Sequence, residues 1–210
     1  MIRTSRIWLL ALTAVTLAGC GGDPGSGGSP SSTQAASSTS ASAGNSVPYA
    51  GAPKVTNPLP VSVLSSDPCA TALTADQTKT IFGQVESGAR SDSGALGPTC
   101  DWHNLDTGAG VLVTYDSTHD GLSSVYRGIK PQAIVWNETS VQGFPAAAHV
   151  TNSGGSKDEF CDISVGIADT ASVDIGLTIS RAKVGRSDPC TVDLQIADMV
   201  IGNLQHKAGS

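Results

Sequence analysis

The stretch CDISVGIADTASVDIGLTI, residues 161–179, decides the fold class. Ile163, Val165 and Ile167, then Val173, Ile175, Leu177 and Ile179, alternate with small or polar residues on either side of Asp169-Thr170. A period of two interrupted by a short polar pair is the signature of two antiparallel strands joined by a tight turn. The alternation predicts a hairpin with one face buried and the other in water. Working outward, Cys100-Asp101-Trp102 and Val111–Tyr115 are β-rich and should pair across the turn Asp106 to Gly110. Ile134-Val135-Trp136 and Ser140-Val141 read as extended, and Gly143-Phe144-Pro145-Ala146 as a sharp corner leading into His149-Val150. Ser87 to Pro98 is polar and punctuated by glycine, and reads as a loop.

Helix signals lie between and around these strands. Asp67-Pro68 is a start device, with Asp able to cap amides and Pro suited to the first helical position, so Cys69 should sit in a helical turn. Thr74-Ala75-Asp76-Gln77 has capping-box spacing, with Ile81 and Phe82 following and Gly83 offering a left-handed stop. Leu122, Val125, Tyr126 and Ile129 fall at helical spacing behind Asp120, which reads as a cap, and Pro131 ends the run. Asp188-Pro189-Cys190 repeats the opening device before an amphipathic helix carrying Val192, Ile196, Met199, Val200 and Leu204. Strand runs with a few helices between them predict an α+β domain over residues 61–207, an antiparallel sheet with helices packed on one face and the other face open.

The first sixty residues are of another kind. Arg3 and Arg6 precede an apolar run, Ile7 to Leu17, that is too short to span a bilayer. The run ends in Leu17-Ala18-Gly19-Cys20, a lipobox: small residues beside a peptidase cut, then a thiol that takes up diacylglycerol. An ordinary signal peptide with a chance cysteine is the plainer reading; the spacing favours lipidation of Cys20, with residues 1–19 removed and palmitate-type acylation expected. Residues 20–60 are dominated by Gly, Ser, Thr, Ala and Pro and read as a disordered tether, which would reach on the order of 35 Å. The expected address is the extracytoplasmic face of the cell membrane, held by lipid.

Cleavage at Cys20 would remove two basic residues, leaving ten Lys plus Arg against 18 Asp plus Glu. Such an acidic chain is a poor partner for nucleic acid or for anionic lipid. Of five cysteines, Cys20 is assigned to lipid and four remain: Cys69, Cys100, Cys161 and Cys190. An even set in an oxidising compartment implies two disulfides, and with no C-x-x-C pair neither zinc nor thioredoxin-type chemistry is indicated. Three connectivities are open. Order favours Cys69 with Cys100 and Cys161 with Cys190, because each pair would join an Asp-Pro-Cys turn to the start of a neighbouring strand.

No catalytic signature is present. A G-x-S-x-G elbow, an H-E-x-x-H helix, G-x-G-x-x-G and a P-loop are all missing, so Ser, His and Asp stand as unconnected residues. His103, His119, His149 and His206 keep no zinc-ligand spacing. Asp116, His119 and Asp120 form the densest polar cluster and suit a helix entry better than a metal site. Asp158-Glu159 with Asp162 lacks the alternating oxygen ligands of a calcium loop. Asn137-Glu138-Thr139 fits a glycosylation pattern that a bacterial lipobox makes irrelevant. Trp102 and Trp136 can line a groove or fill a core, and core is the commoner fate. Catalytic, cofactor-binding and metal-binding residues are therefore expected to be none.

In order along the chain, the lipobox, the polar tether, Asp67-Pro68-Cys69, Cys100-x-Trp102, Gly143-Phe144-Pro145-Ala146, Cys161 opening a hairpin and Asp188-Pro189-Cys190 resemble the actinobacterial lipoproteins of the domain-of-unknown-function family 3558. The resemblance implies a high-GC Gram-positive source and a cell-envelope location, and brings no assigned activity. The expected function is a non-enzymatic extracytoplasmic binding or accessory module, monomeric, with an envelope protein, lipid or glycan, or a small ligand, as partner. The alternative is an envelope-acting hydrolase or transferase whose site is assembled from residues distant in sequence. Replacing Cys20→Ser should abolish incorporation of a lipid label and release the protein from the membrane fraction; retention of both would refute lipidation.

Overall fold

The computed structural model describes residues 46–93 and 96–209. Cys20, the signal peptide and residues 20–45 of the expected tether lie outside the described residues. Seven strands form one antiparallel sheet: β1 (Ala89–Ser93), β2 (Gly97–Asn104), β3 (Ala109–Asp116), β4 (Ala133–Val141), β5 (Phe144–Thr151), β6 (Phe160–Ala168) and β7 (Ala171–Thr178). Their order across the sheet is β1-β2-β3-β7-β6-β5-β4. The hairpin read from residues 161–179 is thus β6–β7, at the centre.

Its register contains a detail that alternation alone does not supply. The apolar residues of both strands carry odd numbers, so they share a face only if odd pairs with odd, as Ile163 with Ile175 and Val165 with Val173. A strictly paired two-residue turn at Asp169-Thr170 sets Ala168 opposite Ala171 and would pair odd with even. A bulge between Gly166 and Ala168 absorbs the mismatch by one residue. The Ile167 carbonyl accepts from the Leu59 amide at 2.9 Å, and the Asp169 carboxylate accepts from the Val55 amide at 2.8 Å. Val55 and Leu59 are therefore seated on the bulged end of the sheet. Val55 is buried, and the Tyr49 amide donates to Ser123 Oγ at 3.0 Å. The boundary expected at residue 61 falls too late, because Tyr49, Ala52, Val55 and Leu59 supply apolar anchors spaced too widely to register as a pattern.

One sheet face is apolar and carries the helices α1 (Pro68–Thr71), α2 (Ala75–Phe82) and α4 (Pro189–Gly209). Asp67 caps α1 through Cys69 N, Thr74 and Gln77 form the reciprocal capping box of α2, and Gly83 closes it with φ 80°. The Asp188 carboxylate accepts from Thr191 N at 2.8 Å at the start of α4. Ile196, Ala197, Val200, Ile201 and Leu204 of α4 lie on Val111, Val113, Ile163, Val165, Val173 and Ile175 to form the core. The disulfides are Cys69–Cys100 and Cys161–Cys190, with Cα–Cα separations of 5.1 Å in each. Each ties a helix start to a strand across a loop of about thirty residues, a constraint worth roughly 3 to 4 kcal/mol.

The sheet's second face is not the open, wet surface that the alternation suggested. Helix α3 (Leu122–Gly128) lies on it, with Leu122, Val125 and Tyr126 packed against Ala147. Two glycines permit this approach. A Cβ on Gly166 would come within 2.9 Å of the Leu122 side chain, and one on Gly121, where φ is +50°, would meet the backbone of Ala171 and Asp169 at 2.9 Å. Gly121, not Asp120, occupies the N-cap; the Asp120 carboxylate accepts the Tyr49 hydroxyl at 2.8 Å instead. Two other expectations change. Residues read as the loop Ser87 to Pro98 include β1, a five-residue charged edge strand that needs only one ladder and so shows no apolar alternation. Phe144-Pro145-Ala146 is strand, and the corner is Gln142-Gly143, both at positive φ as a two-residue hairpin turn requires.

Within α4, Asp193 is wholly buried and neither carboxylate oxygen has a hydrogen-bond partner. Desolvation raises its pKa well above the ordinary value, with the Asp162 charge adding to the effect. A carboxyl whose pKa is higher folded than unfolded favours the fold below its unfolded pKa and loses that contribution as pH rises toward the folded value. Asp193→Leu keeps the branched shape without the charge. Denaturation midpoints should show the variant more stable than wild type by on the order of 2 kcal/mol at pH 7.5, with the gap narrowing toward pH 4.

Candidate functional site

The second face carries a polar row contributed by adjacent strands. Register places Trp136 beside His149 and His149 beside Asp162, then Ser164 beside Asp174 and Asp174 beside Thr114. Because α3 covers only part of this face, a cleft of about 360 Å³ remains between helix and sheet. Its floor is His149, Asp162, Ser164 and Asp174, with Gly176 leaving room for the Asp162 carboxyl. Val125 and Ile129 form the helix side, and Leu112 and Leu96, which are 43% and 53% exposed, stand at the mouth. Asp116 and His119 close one end, the imidazole Nδ1 lying 2.8 Å from Asp116 Oδ2.

The floor is wired in one direction. Asp174 accepts a hydrogen bond from the Ser172 hydroxyl at 3.3 Å and stands opposite Ser164 in the ladder. We assign the single Ser164 proton to Asp174, whose titration that hydroxyl restrains, so that its oxygen accepts from His149 Nε2, 3.0 Å away. The neutral ring then has a bare lone pair on Nδ1. That atom has no hydrogen-bond partner and lies 4.0 Å from Asp162 Oδ2. Trp136 stacks on the ring with centroids 6.0 Å apart and Tyr126 meets Trp136 edge-on at 5.0 Å, so His149 is shielded from water at the sheet's edge.

Burial sets the protonation states. It pushes His149 down to about 4, so the ring is neutral at physiological pH. Burial also lifts Asp162 to about 7, with the Asp174 charge adding to the rise. Asp174 rises to about 6 from burial, restrained by the Ser164 hydroxyl.

The residues singled out from sequence fall out differently. Trp102 is a core residue, 2% exposed, while Trp136 belongs to the cleft's flank. Asp116 accepts from the Thr118 and His119 amides and orders the turn before α3, without capping that helix. Asp158 pairs with Lys157 at 2.8 Å and does not converge with Asp162. His103 and His206 are exposed and apart. Among the described residues no three His, Cys, Asp or Glu side chains are placed to hold a metal. The reading of Ser, His and Asp as unconnected is corrected, since Ser164, His149 and Asp162 meet on β5 and β6. Their only signal in sequence was the set of polar residues at the even positions of the hairpin, which looked like a solvated face.

This trio has the order of a nucleophile, a base and an orienting carboxylate, yet two features work against hydrolysis. The 4.0 Å between Nδ1 and Asp162 is not a hydrogen bond. Ser164 sits in a central strand paired on both sides, so the neighbouring amides are committed to the ladder and cannot form an oxyanion hole. Long-range proton–nitrogen spectra should show His149 as the Nε2–H tautomer with no protonation step between pH 5.5 and 8. A titration midpoint near 6.5 would refute the buried relay.

A second groove, of about 400 Å³, lies between the end of α2, α4 and the ends of β3 and β7, lined by Ile81, Phe82, Ile179 and Met199. It has no buried side-chain polar atom left without a partner, and Lys183 is its one charged group among the described residues. The cleft under α3 is the stronger site.

No curated protein and no solved structure matches this chain. The model of the family described as "Protein of unknown function (DUF3558)" matches residues 15–203. With all but the two ends of the chain covered, the protein belongs to the DUF3558 family.

Proposed function

We propose that this protein is a lipid-anchored, non-enzymatic binding module of the extracytoplasmic membrane face, and that its domain takes a small amphipathic ligand into the cleft between α3 and the sheet. The observation that carries the reading is the pairing of exposed Leu96 and Leu112 at the cleft's mouth with a desolvated polar floor at its base. Concave sites that combine apolar walls with a few convergent polar groups are where small ligands gain both affinity and orientation. The membrane address is supported by Leu17-Ala18-Gly19-Cys20, and an oxidising compartment by the two disulfides. An envelope protein or glycan is a further partner open to such a module, and the chain's acidic balance makes nucleic acid an unsuitable one.

The second reading is an envelope hydrolase using Ser164 and His149, favoured by their 3.0 Å contact. It requires an oxyanion site that this strand environment does not offer.

Gly128 lies at the cleft and a Cβ there meets nothing within 4 Å, so Gly128→Trp should fill the space without disturbing the fold. Titrated with the neutral fluorophore N-phenyl-1-naphthylamine, the full-length protein in detergent should bind, and Gly128→Trp should lose at least about tenfold in affinity. Thr80→Trp, which occludes the second groove, should bind as wild type does. The reverse pattern, or no binding by wild type, would overturn the proposal.

A further inference from the structure

The floor of the cleft presents two hydrogen-bond acceptors to one gap and no donor. With the Ser164 proton assigned to Asp174, His149 Nε2 is the donor to Ser164 Oγ and Nδ1 is left as a lone pair. Asp162 Oδ2 faces the same gap from 4.0 Å away, too far for the two groups to satisfy each other directly. His149 is 6% exposed and its Nδ1 is an orphan, so the cost of leaving it unpaired is a desolvation penalty that a ligand donor would remove. Charge points the same way. Asp116, Asp162 and Asp174 all line the cleft, and none of the described residues lining it is Lys or Arg.

We infer that the cleft binds its ligand through a protonated amine, seated between His149 Nδ1 and the Asp162 carboxylate, with the ligand's apolar body lying along Leu112, Val125 and Ile129. This rests on the binding reading of the same cleft and adds the chemistry of the head group. An ammonium group has three donors and no acceptor, which is the complement of a lone pair beside a carboxylate. An alcohol can satisfy Nδ1 but brings no charge to Asp162. A carboxylate ligand would face two acceptors and three acidic side chains. A metal ion would find only two converging ligands there, fewer than any structural or catalytic zinc site uses.

Protonation of Asp162 should compete with the amine. The groups facing that carboxyl are His149 from β5, Asp174 from β7 and, through the sheet, Asp193 from α4; Asp116 and His119 act on Asp174 from beyond. His149 stays neutral across the range used, so a change between pH 8 and 5.5 does not arise from that ring.

The test uses n-hexylamine, n-hexanol and n-hexanoate, which share one apolar body, titrated against the full-length protein by calorimetry at pH 8. Hexylamine should bind at least about tenfold more tightly than hexanol, the size expected when an ion pair forms in a partly desolvated site, and hexanoate should bind most weakly. The amine's advantage over hexanol should shrink at pH 5.5. In Asp162→Asn the amine's advantage over hexanol should vanish, with a wild-type far-ultraviolet circular dichroism spectrum certifying that the variant is folded. Equal affinities for amine and alcohol, or an amine preference that survives Asp162→Asn, would overturn the inference. So would failure of all three ligands while N-phenyl-1-naphthylamine still binds, and in that case the binding-module reading stands. Failure of the fluorophore as well would remove both.

Discussion

The rest of the structure depends on one backbone irregularity, the bulge that reconciles a two-residue turn with odd-numbered apolar residues on both strands of the β6–β7 hairpin. Without it, Ile163, Val165 and Ile167 would face one way while Val173, Ile175 and Leu177 faced the other, and no single apolar face would exist for α4 to cover. With it, those residues share a face and are buried almost to zero exposure. The same irregularity leaves the Ile167 carbonyl to the Leu59 amide, which seats the chain ahead of the first helix against the end of the sheet. A local accommodation thereby sets the core and ties Leu59, ahead of the first helix, to the sheet.

The second face follows from the first. Once the odd residues are committed to α4, the even ones, Asp162, Ser164, Asp174 and Gly176, must face the other side. There they meet α3, which the absence of side chains at Gly121 and Gly166 brings down onto the sheet. Burying aspartates in this way is costly unless they are neutralised or hydrogen-bonded. The protein does some of each: Ser172 donates to Asp174, while burial lifts Asp162 to about 7. What it does not do is satisfy His149 Nδ1, and that shortfall is what gives the cleft a chemical character. A polar row kept half-covered beneath a short helix, with leucines at its lip, is hard to explain as packing alone.

The two disulfides and the two Asp-Pro-Cys turns form a frame around this arrangement. Cys69–Cys100 fixes α1 to β2 near one edge, and Cys161–Cys190 fixes the start of β6 to the start of α4 at the centre. Both cross-links lie on the core side, so the face bearing the cleft is held from behind. The cleft therefore rests on a rigid support while its cover, a helix of seven residues, makes comparatively few contacts. Rigid floor and light cover are compatible with ligand entry.

Much of the fold was legible in the order of residues, for reasons that are local. Alternation at 163–179 reports strands because side chains point to opposite faces, and Asp67-Pro68, Thr74 to Gln77 and Asp188-Pro189 report helix starts because orphan amides need acceptors. Cysteine order suggested the pairing that the structure has. The lipobox at Cys20 is likewise a local recognition pattern. What sequence could not supply is whatever depends on a third element arriving from elsewhere. Edge strand β1 carries no apolar alternation because it is paired on one side only, and Tyr49 to Leu59 reveal themselves only by where they dock. The even face of the hairpin looked solvated because polar residues on a strand read the same whether water or a helix covers them. His149, Ser164, Asp162 and Asp174 became a site only when register set three strands side by side and α3 closed over them, since burial, and with it the shifts at His149, Asp162 and Asp174, belongs to the assembled tertiary structure and to no segment alone.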